Sequence, residues 1–186
     1  HLPHAVNMDT FSKIEGEEMD NFRQNSLANA ENKDKMVFFW NNRNARRKQS
    51  GTVIFWFKEF LDRVGHDNAC LIMHTDPKDM HGQDLEAIVH ELGLNQGQVM
   101  FSKDKVSPRS LAFLYNLADC TINIADAEGF GLATLESLAC ETPIIVTMTG
   151  GLQEQVTDGE NWFGIGIEPS SRAVIGSQDI PYINED

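Results

Sequence analysis

The sequence predicts an α/β fold, a doubly wound parallel sheet with helices on both faces. Three observations carry this. Short apolar runs alternate with helix-period segments five times over about 115 residues. The runs are apolar throughout rather than polar on every second residue, as in strands buried on both faces. Each helical segment between them can return the chain to the same end of the sheet, which parallel pairing requires.

The elements follow in order. Residues 1–34 form a polar lead-in with one short helix near Glu17–Leu27. The α/β unit spans residues 35–168. It opens with "KMVFFWNN", a buried strand ending in turn residues. "GTVIFWFKEFLDRVG" has helical apolar spacing and a glycine stop. "ACLIMHT" is the second strand. "MHGQDLEAIVHELGL" is an amphipathic helix with Leu85, Ile88, Val89 and Leu92 on one face. "GQVMFSK" is the third strand. "SPRSLAFLYNLA" sets Ser107 before a proline at the first helical position, a strong helix start. "CTINIA", "GLATLESLAC" and "TPIIVTM" read as strand, helix and strand. "GGLQEQVTDG" is a turn or short helix, and "NWFGIGIEP" a short sixth strand. The tail, residues 169–186, loses the pattern and reads as a surface wrap or a partly disordered segment.

Composition limits the function. The chain has 186 residues, 41% of them apolar, enough for one domain with a proper core. Net charge is −13. That disfavours nucleic acid as a partner, since phosphates need Lys and Arg to displace counterions. No apolar run approaches the roughly 20 residues needed to span a bilayer, and no signal peptide is visible at "HLPHAVNMDT". The expected location is cytoplasmic. Cys70, Cys120 and Cys140 sit in apolar contexts without CxxC spacing, so buried reduced thiols are expected. The histidines lack ligand spacing and no metal site is expected. Arg43, Arg46, Arg47 and Lys48 form a basic knot in an acidic chain. It reads either as an anion site or as a solvated loop.

The stretch "EGFGLATLE", Glu128 to Glu136, follows the fourth strand and enters a helix. Ligands of open α/β sheets bind at the carboxyl ends of strands, beside helix N-termini. Gly129 and Gly131 would let a ligand approach the backbone closely. The amides of Phe130, Gly131 and Leu132 would point outward, ready for phosphate oxygens. Glu136, one turn into the helix, would accept hydrogen bonds from paired hydroxyls, as on a ribose. Glu128 would reach a second hydroxylated group. A plain structural reading stays open beside this: Glu128 as a loop cap, Glu136 as a surface residue, the glycines as a turn.

"EGFGLATLESLACETPII" resembles the E-x(7)-E segment of the retaining family-4 glycosyltransferases, which use nucleotide-sugar donors. "PHAVNMDTF" resembles that family's linker into its C-terminal domain. "NRNARRK" is similar to its diphosphate-binding stretch, "SPRSLAFLYNLADCTINIA" to the helix and strand before the acidic motif, and "GGLQEQVTDGENWFGI" to its Gly-Gly segment. The agreement runs in register over about residues 3 to 167, and five ordered matches are far more specific than one acidic pair. The resemblance implies a Rossmann-like domain, the C-terminal half of a two-domain GT-B fold, with residues 1–34 as interdomain linker. The acceptor half would lie outside this chain.

The resemblance also implies roles. Arg43 and Lys48 would neutralise the donor diphosphate, with Arg47 as a rival because the run can be slid by one. Glu128 would hold the donor sugar. Gly129, Phe130, Gly131 and Leu132 would bind phosphate and Glu136 the ribose. Phe101 and Ser102 would flank the base. The donor would be a UDP-, GDP- or ADP-sugar, with no obligatory cofactor or metal. The acceptor would be a glycan, lipid or protein reached through the other half, which would also bring any peripheral membrane contact. Two departures stand out: Asn42 precedes Arg43 where the family has glycine, and Glu141 replaces the glycine of "ACxTP". Glu141 is expected at a helix end at little cost. The competing readings are a non-catalytic nucleotide or nucleotide-sugar binding module and a GT-B-like nucleotide-sugar epimerase. A dinucleotide dehydrogenase would need GxGxxG after the first strand, and "FFWNNRNARRK" has no glycine.

Overall fold

The computed structural model describes residues 4–28, 30, 32–175 and 178–182. Strands β1 Met36–Asn41, β2 Ala69–His74, β3 Val99–Ser102, β4 Cys120–Asn123, β5 Ile144–Thr147 and β6 Gly164–Ile167 form one sheet. Its order is β3-β2-β1-β4-β5-β6, with every pairing parallel. The helices are α1 Glu17–Ser26, α2 Ser50–Val64, α3 Leu85–Glu91, α4 Pro108–Leu117, α5 Leu132–Ala139 and α6 Leu152–Val156. This is the doubly wound architecture that the alternation predicts.

Strand β1 shows why the sheet is buried on both sides. Phe38 and Trp40 join α2 and α3 residues such as Ile54, Leu61 and Leu85 in one core. Val37 and Phe39 point the other way and pack with Tyr115 and Leu117 of α4. Phe11 and Leu27 of the lead-in complete this second core, so the segment before β1 is fastened to the domain. Alternate residues of one apolar strand thus serve two layers.

Three expectations need correction. The third helix is shorter than "MHGQDLEAIVHELGL": α3 begins only after Asp84, whose side chain accepts from the Ala87 amide. The residues before it form a turn around Asp79, which accepts from the amides of His81 and Gly82. The tail is not patternless, because β7 Ser171–Ile175 pairs antiparallel with β8 Gln178–Tyr182. Pro181, inside β8, hides that strand from sequence reading. Glu141 does follow α5, but in the left-handed region at φ 60°, where a Cβ is costly.

The strand order reverses between β1 and β4. In open α/β sheets that reversal opens a crevice at the carboxyl ends of the two central strands. The loops after β1 and after β4 meet there.

Candidate functional site

After β1 the chain runs through Asn42 and Arg43 into a single 3-10 turn, Arg46–Lys48, ending at Gln49 with φ 55°. After β4 it runs through Asp126 and Glu128 to Gly131 and α5. Among the bonds that tie the loops together, three centre on Arg47 and Asp126. The Asp126 amide donates to the Arg47 carbonyl at 2.8 Å. Arg47 donates its Nη1 to the Ala127 carbonyl at 2.8 Å. Gln49 Nε2 donates to Asp126 Oδ1 at 2.7 Å.

Between them lies a cleft of ≈340 Å³ lined by Asn42, Arg43 and Lys48 on one side and by Glu128 and residues 130–133 on the other, with His4 alongside. Lys48 Nζ donates to Glu128 Oε2, and the two side chains are only 8% and 13% exposed. Burial lowers the Lys48 pKa from its ordinary value even beside this carboxylate. A desolvated ammonium holding a single carboxylate has unused capacity for a further anion.

Gly131 adopts φ 84°, ψ 62° as the N-cap of α5, and no side chain among the described residues caps it. The first amides of α5 have no intrahelical acceptor, as at every helix start. The carbonyls of the preceding loop are occupied from behind. Gly151 N donates to Gly129 O at 3.1 Å, and Gln155 Nε2 to Phe130 O at 2.6 Å. A Cβ on Gly150 would stand 1.7 Å from the Glu128 carbonyl oxygen and one on Gly151 2.7 Å from that of Phe130, which explains the paired glycines of "GGLQEQV". The loop therefore rests its carbonyls on the Gly-Gly segment and leaves amides at the head of α5.

The remaining candidates divide. Arg43 lines the cleft but donates to Asp79 through Nε at 2.7 Å and Nη2 at 3.1 Å, and its side chain is 61% exposed. That pair, with the His81 amide, holds the Asp79 carboxyl down at about 2. Arg47 braces the Ala127 carbonyl and does not line the cleft. Glu136 lies one turn below the cleft residues Leu132 and Ala133 and does not itself line the cleft; its Oε2 accepts from Tyr115 Oη at 2.7 Å. Burial raises its pKa. Phe101 packs against the core under α2 and α3, and Ser102 Oγ lies 2.9 Å from His74 Nδ1. Both stand on edge strand β3, at the carboxyl edge of the sheet but two strands from β1, outside the cleft.

Sequence reasoning missed His4 and Asn42. The His4 ring stands 5.0 Å from that of Phe130, and only the "PHAVN" stretch hinted at it. Asn42 Nδ2 is buried without a hydrogen-bond partner among the described residues. It also missed Gln49, whose left-handed backbone has no sequence signature. The three cysteines are buried, free, and pushed up to about 11, 12 and 11 by burial, unsuited to act as thiolates. Among the described residues no group of three or more His, Cys, Asp or Glu gathers as a metal site. No helix there is long and apolar enough to cross a membrane.

A family model described as glycosyl transferases group 1 matches residues 21–175. The chain belongs to that family. D-inositol 3-phosphate glycosyltransferase of Corynebacterium jeikeium is 32% identical over 119 residues, 62% of this chain and 28% of that protein. The enzyme of the same name from Corynebacterium urealyticum is 38% identical over 77 residues, 41% of this chain and 18% of that protein. The matched stretch thus spans less than a third of either curated relative. Among solved structures, the C-terminal domain of a Francisella tularensis group 1 glycosyl transferase superposes with a TM-score of 0.67 at 23% identity, over 90% of this chain and 82% of that one. Anabaena HepE in complex with UDP and glucose gives 0.71 at 18% identity, over 88% and 41%. The fold is the Rossmann-like C-terminal half of a GT-B architecture.

Proposed function

We propose that this chain is the donor-binding half of a retaining glycosyltransferase that moves a sugar from a nucleoside-diphosphate sugar to an acceptor. One observation carries the reading: the nearly buried Lys48–Glu128 pair faces the uncapped start of α5 across the topological switch point. A desolvated cation and an unpaired set of helix amides on one cleft suit a diphosphate.

The roles combine what the resemblance implies with the chemistry of the cleft. The diphosphate sits over the amides at Gly131 and Leu132, beside Gly129 and Phe130. Lys48 turns from Glu128 to the phosphate oxygens, and Arg43 exchanges Asp79 for them. As the glycosidic bond breaks, negative charge grows on the leaving nucleoside diphosphate, and these groups are already in place to stabilise it. Glu128, released from Lys48, accepts hydrogen bonds from sugar hydroxyls. Glu136 accepts from the ribose, with the base toward Phe101 and Ser102 along the carboxyl edge. Arg47 serves by bracing the Glu128 loop. Basic side chains, not a metal, carry the diphosphate. Residues 1–34 link to an acceptor-binding half that also supplies any contact with a membrane-borne acceptor. HepE was solved with UDP and glucose, which favours a uridine donor over GDP- and ADP-sugars.

The test is a thermal-shift and calorimetry panel of UDP-, GDP- and ADP-sugars with the matching nucleosides, because a ligand of the folded state raises its melting temperature. Binding of one diphosphate series, at least tenfold tighter than its nucleoside, is expected. Absence of binding across the panel, or equal affinity for diphosphate and nucleoside, overturns the proposal.

A further inference from the structure

Tyr115 is fully buried in α4, its ring packed edge-on against Phe11 at 6.1 Å and Phe39 at 5.1 Å. A tyrosine hydroxyl has one proton to give and accepts through its lone pairs. Here the proton goes to Glu136 Oε2 at 2.7 Å, and Asn41 Nδ2 donates to the hydroxyl oxygen at 2.8 Å. The chain Asn41→Tyr115→Glu136 therefore runs one way, from the end of β1 through α4 to α5. No hydrogen bond among the described residues reaches Glu136 Oε1.

The ends of this chain adjoin the cleft. Asn41 precedes the cleft residue Asn42, and Glu136 lies three residues beyond Ala133, on its side of α5. Tyr115 itself does not line the cleft. A half-buried carboxylate with several open rotamers would waste binding energy on being ordered by its ligand. One oxygen clamped by a buried phenol removes that cost and leaves the other oxygen for the ligand. A tyrosine kept only for packing would need no acceptor, and phenylalanine would fill the same space.

We propose that Tyr115 is a positioning residue for sugar-diol recognition: its hydroxyl, held by Asn41, fixes the Glu136 carboxylate so that the free oxygen meets the vicinal hydroxyls of the nucleotide ribose. This rests on the ribose role of Glu136 in the proposed function. The consequence is selectivity, not merely affinity. Tyr115 sets how strongly the site prefers ribose over a sugar lacking both hydroxyls.

The experiment is calorimetry of UDP and 2′,3′-dideoxy-UDP on wild-type protein, Tyr115→Phe and Asn41→Ala. Wild type should bind UDP at least tenfold more tightly than the dideoxy analogue. Tyr115→Phe should lose about fivefold to tenfold on UDP, the size of one ordinary hydrogen bond, and stay within twofold on the analogue. Asn41→Ala, which keeps the phenol, should show a smaller loss of the same selectivity. It also provides the measurement if Tyr115→Phe does not fold. Equal losses on both ligands, or full retention of the preference in the variants, overturn the role of Tyr115. Wild-type protein without any preference overturns the ribose reading of Glu136 beneath it.

Discussion

Helices α4 and α5 begin in opposite ways. At α4, Ser107 has extended backbone, its hydroxyl oxygen accepts from the Ser110 amide at 3.1 Å, and proline fills the first turn. That start closes on itself: a capping oxygen satisfies one orphan amide and proline removes another. At α5, a left-handed Gly131 takes the capping position and no side chain among the described residues answers the first amides. The surroundings are nonetheless carefully ordered, since Gly151, Gln155 and Thr134 engage the carbonyls of the loop. A helix start whose preceding carbonyls at Gly129, Phe130 and Gly131 are engaged, and whose first residues line a cleft beside an almost buried lysine, suits an anion from outside.

The strongest way to break this comparison is Lys48→Ala. It should cost about 2–3 kcal/mol of nucleoside-diphosphate affinity, the range for losing a charge-assisted partner, and leave free nucleoside nearly unaffected. Calorimetry with both ligands decides it. Equal losses would show that Lys48 merely supports the fold around Glu128. Gly131→Ala is the backbone counterpart. Its new Cβ would lie 2.6 Å from Leu152 Cδ2 and 2.8 Å from Thr134 Oγ1, at a φ that L side chains avoid. Expect about 1–2 kcal/mol of destabilisation in urea, together with weaker diphosphate binding. Ser107→Ala is the control at the other helix: about 1 kcal/mol lost in the same titration, with diphosphate affinity unchanged. Were Ser107→Ala to weaken the ligand as much as Gly131→Ala, the two starts would not differ in function.

The same contrast explains what was readable beforehand. Signals that are local in sequence appeared in the structure: the six apolar runs, the Ser-Pro start of α4, the glycine after α2. The contact of Lys48 with Glu128, 80 residues apart, was not among these readings; topology alone brings the basic knot against "EGFGLATLE". Long-range choices stayed hidden. The late start of α3 depends on the turn at Asp79, whose carboxylate meets Arg43 from another strand's loop. Placing Arg43 on the cleft and Arg47 against Ala127 required the loop geometry, because their spacing fits either register. The bond that engages Glu136 comes from a tyrosine 21 residues away whose pattern signals only burial.

The smallest effect concerns the far end of α5. There the Thr142 amide donates to the Ser137 carbonyl at 3.0 Å and the Glu141 amide to the Leu138 carbonyl at 2.9 Å, the paired bonds of a Schellman termination. That motif needs a left-handed residue, and Glu141 supplies it at φ 60°. Its side chain is exposed, so the cost is in the backbone alone. Glu141→Gly should raise stability by about 0.5–1 kcal/mol, because the relief of left-handed strain, about 1–2 kcal/mol, exceeds the added freedom of the unfolded chain. Urea midpoints measure this, and diphosphate affinity should not move. No gain would mean that the unfolded-state entropy of glycine cancels the strain. A change in affinity would mean that the two ends of α5 are coupled, and that the open start cannot be assigned to the ligand independently of how the helix stops.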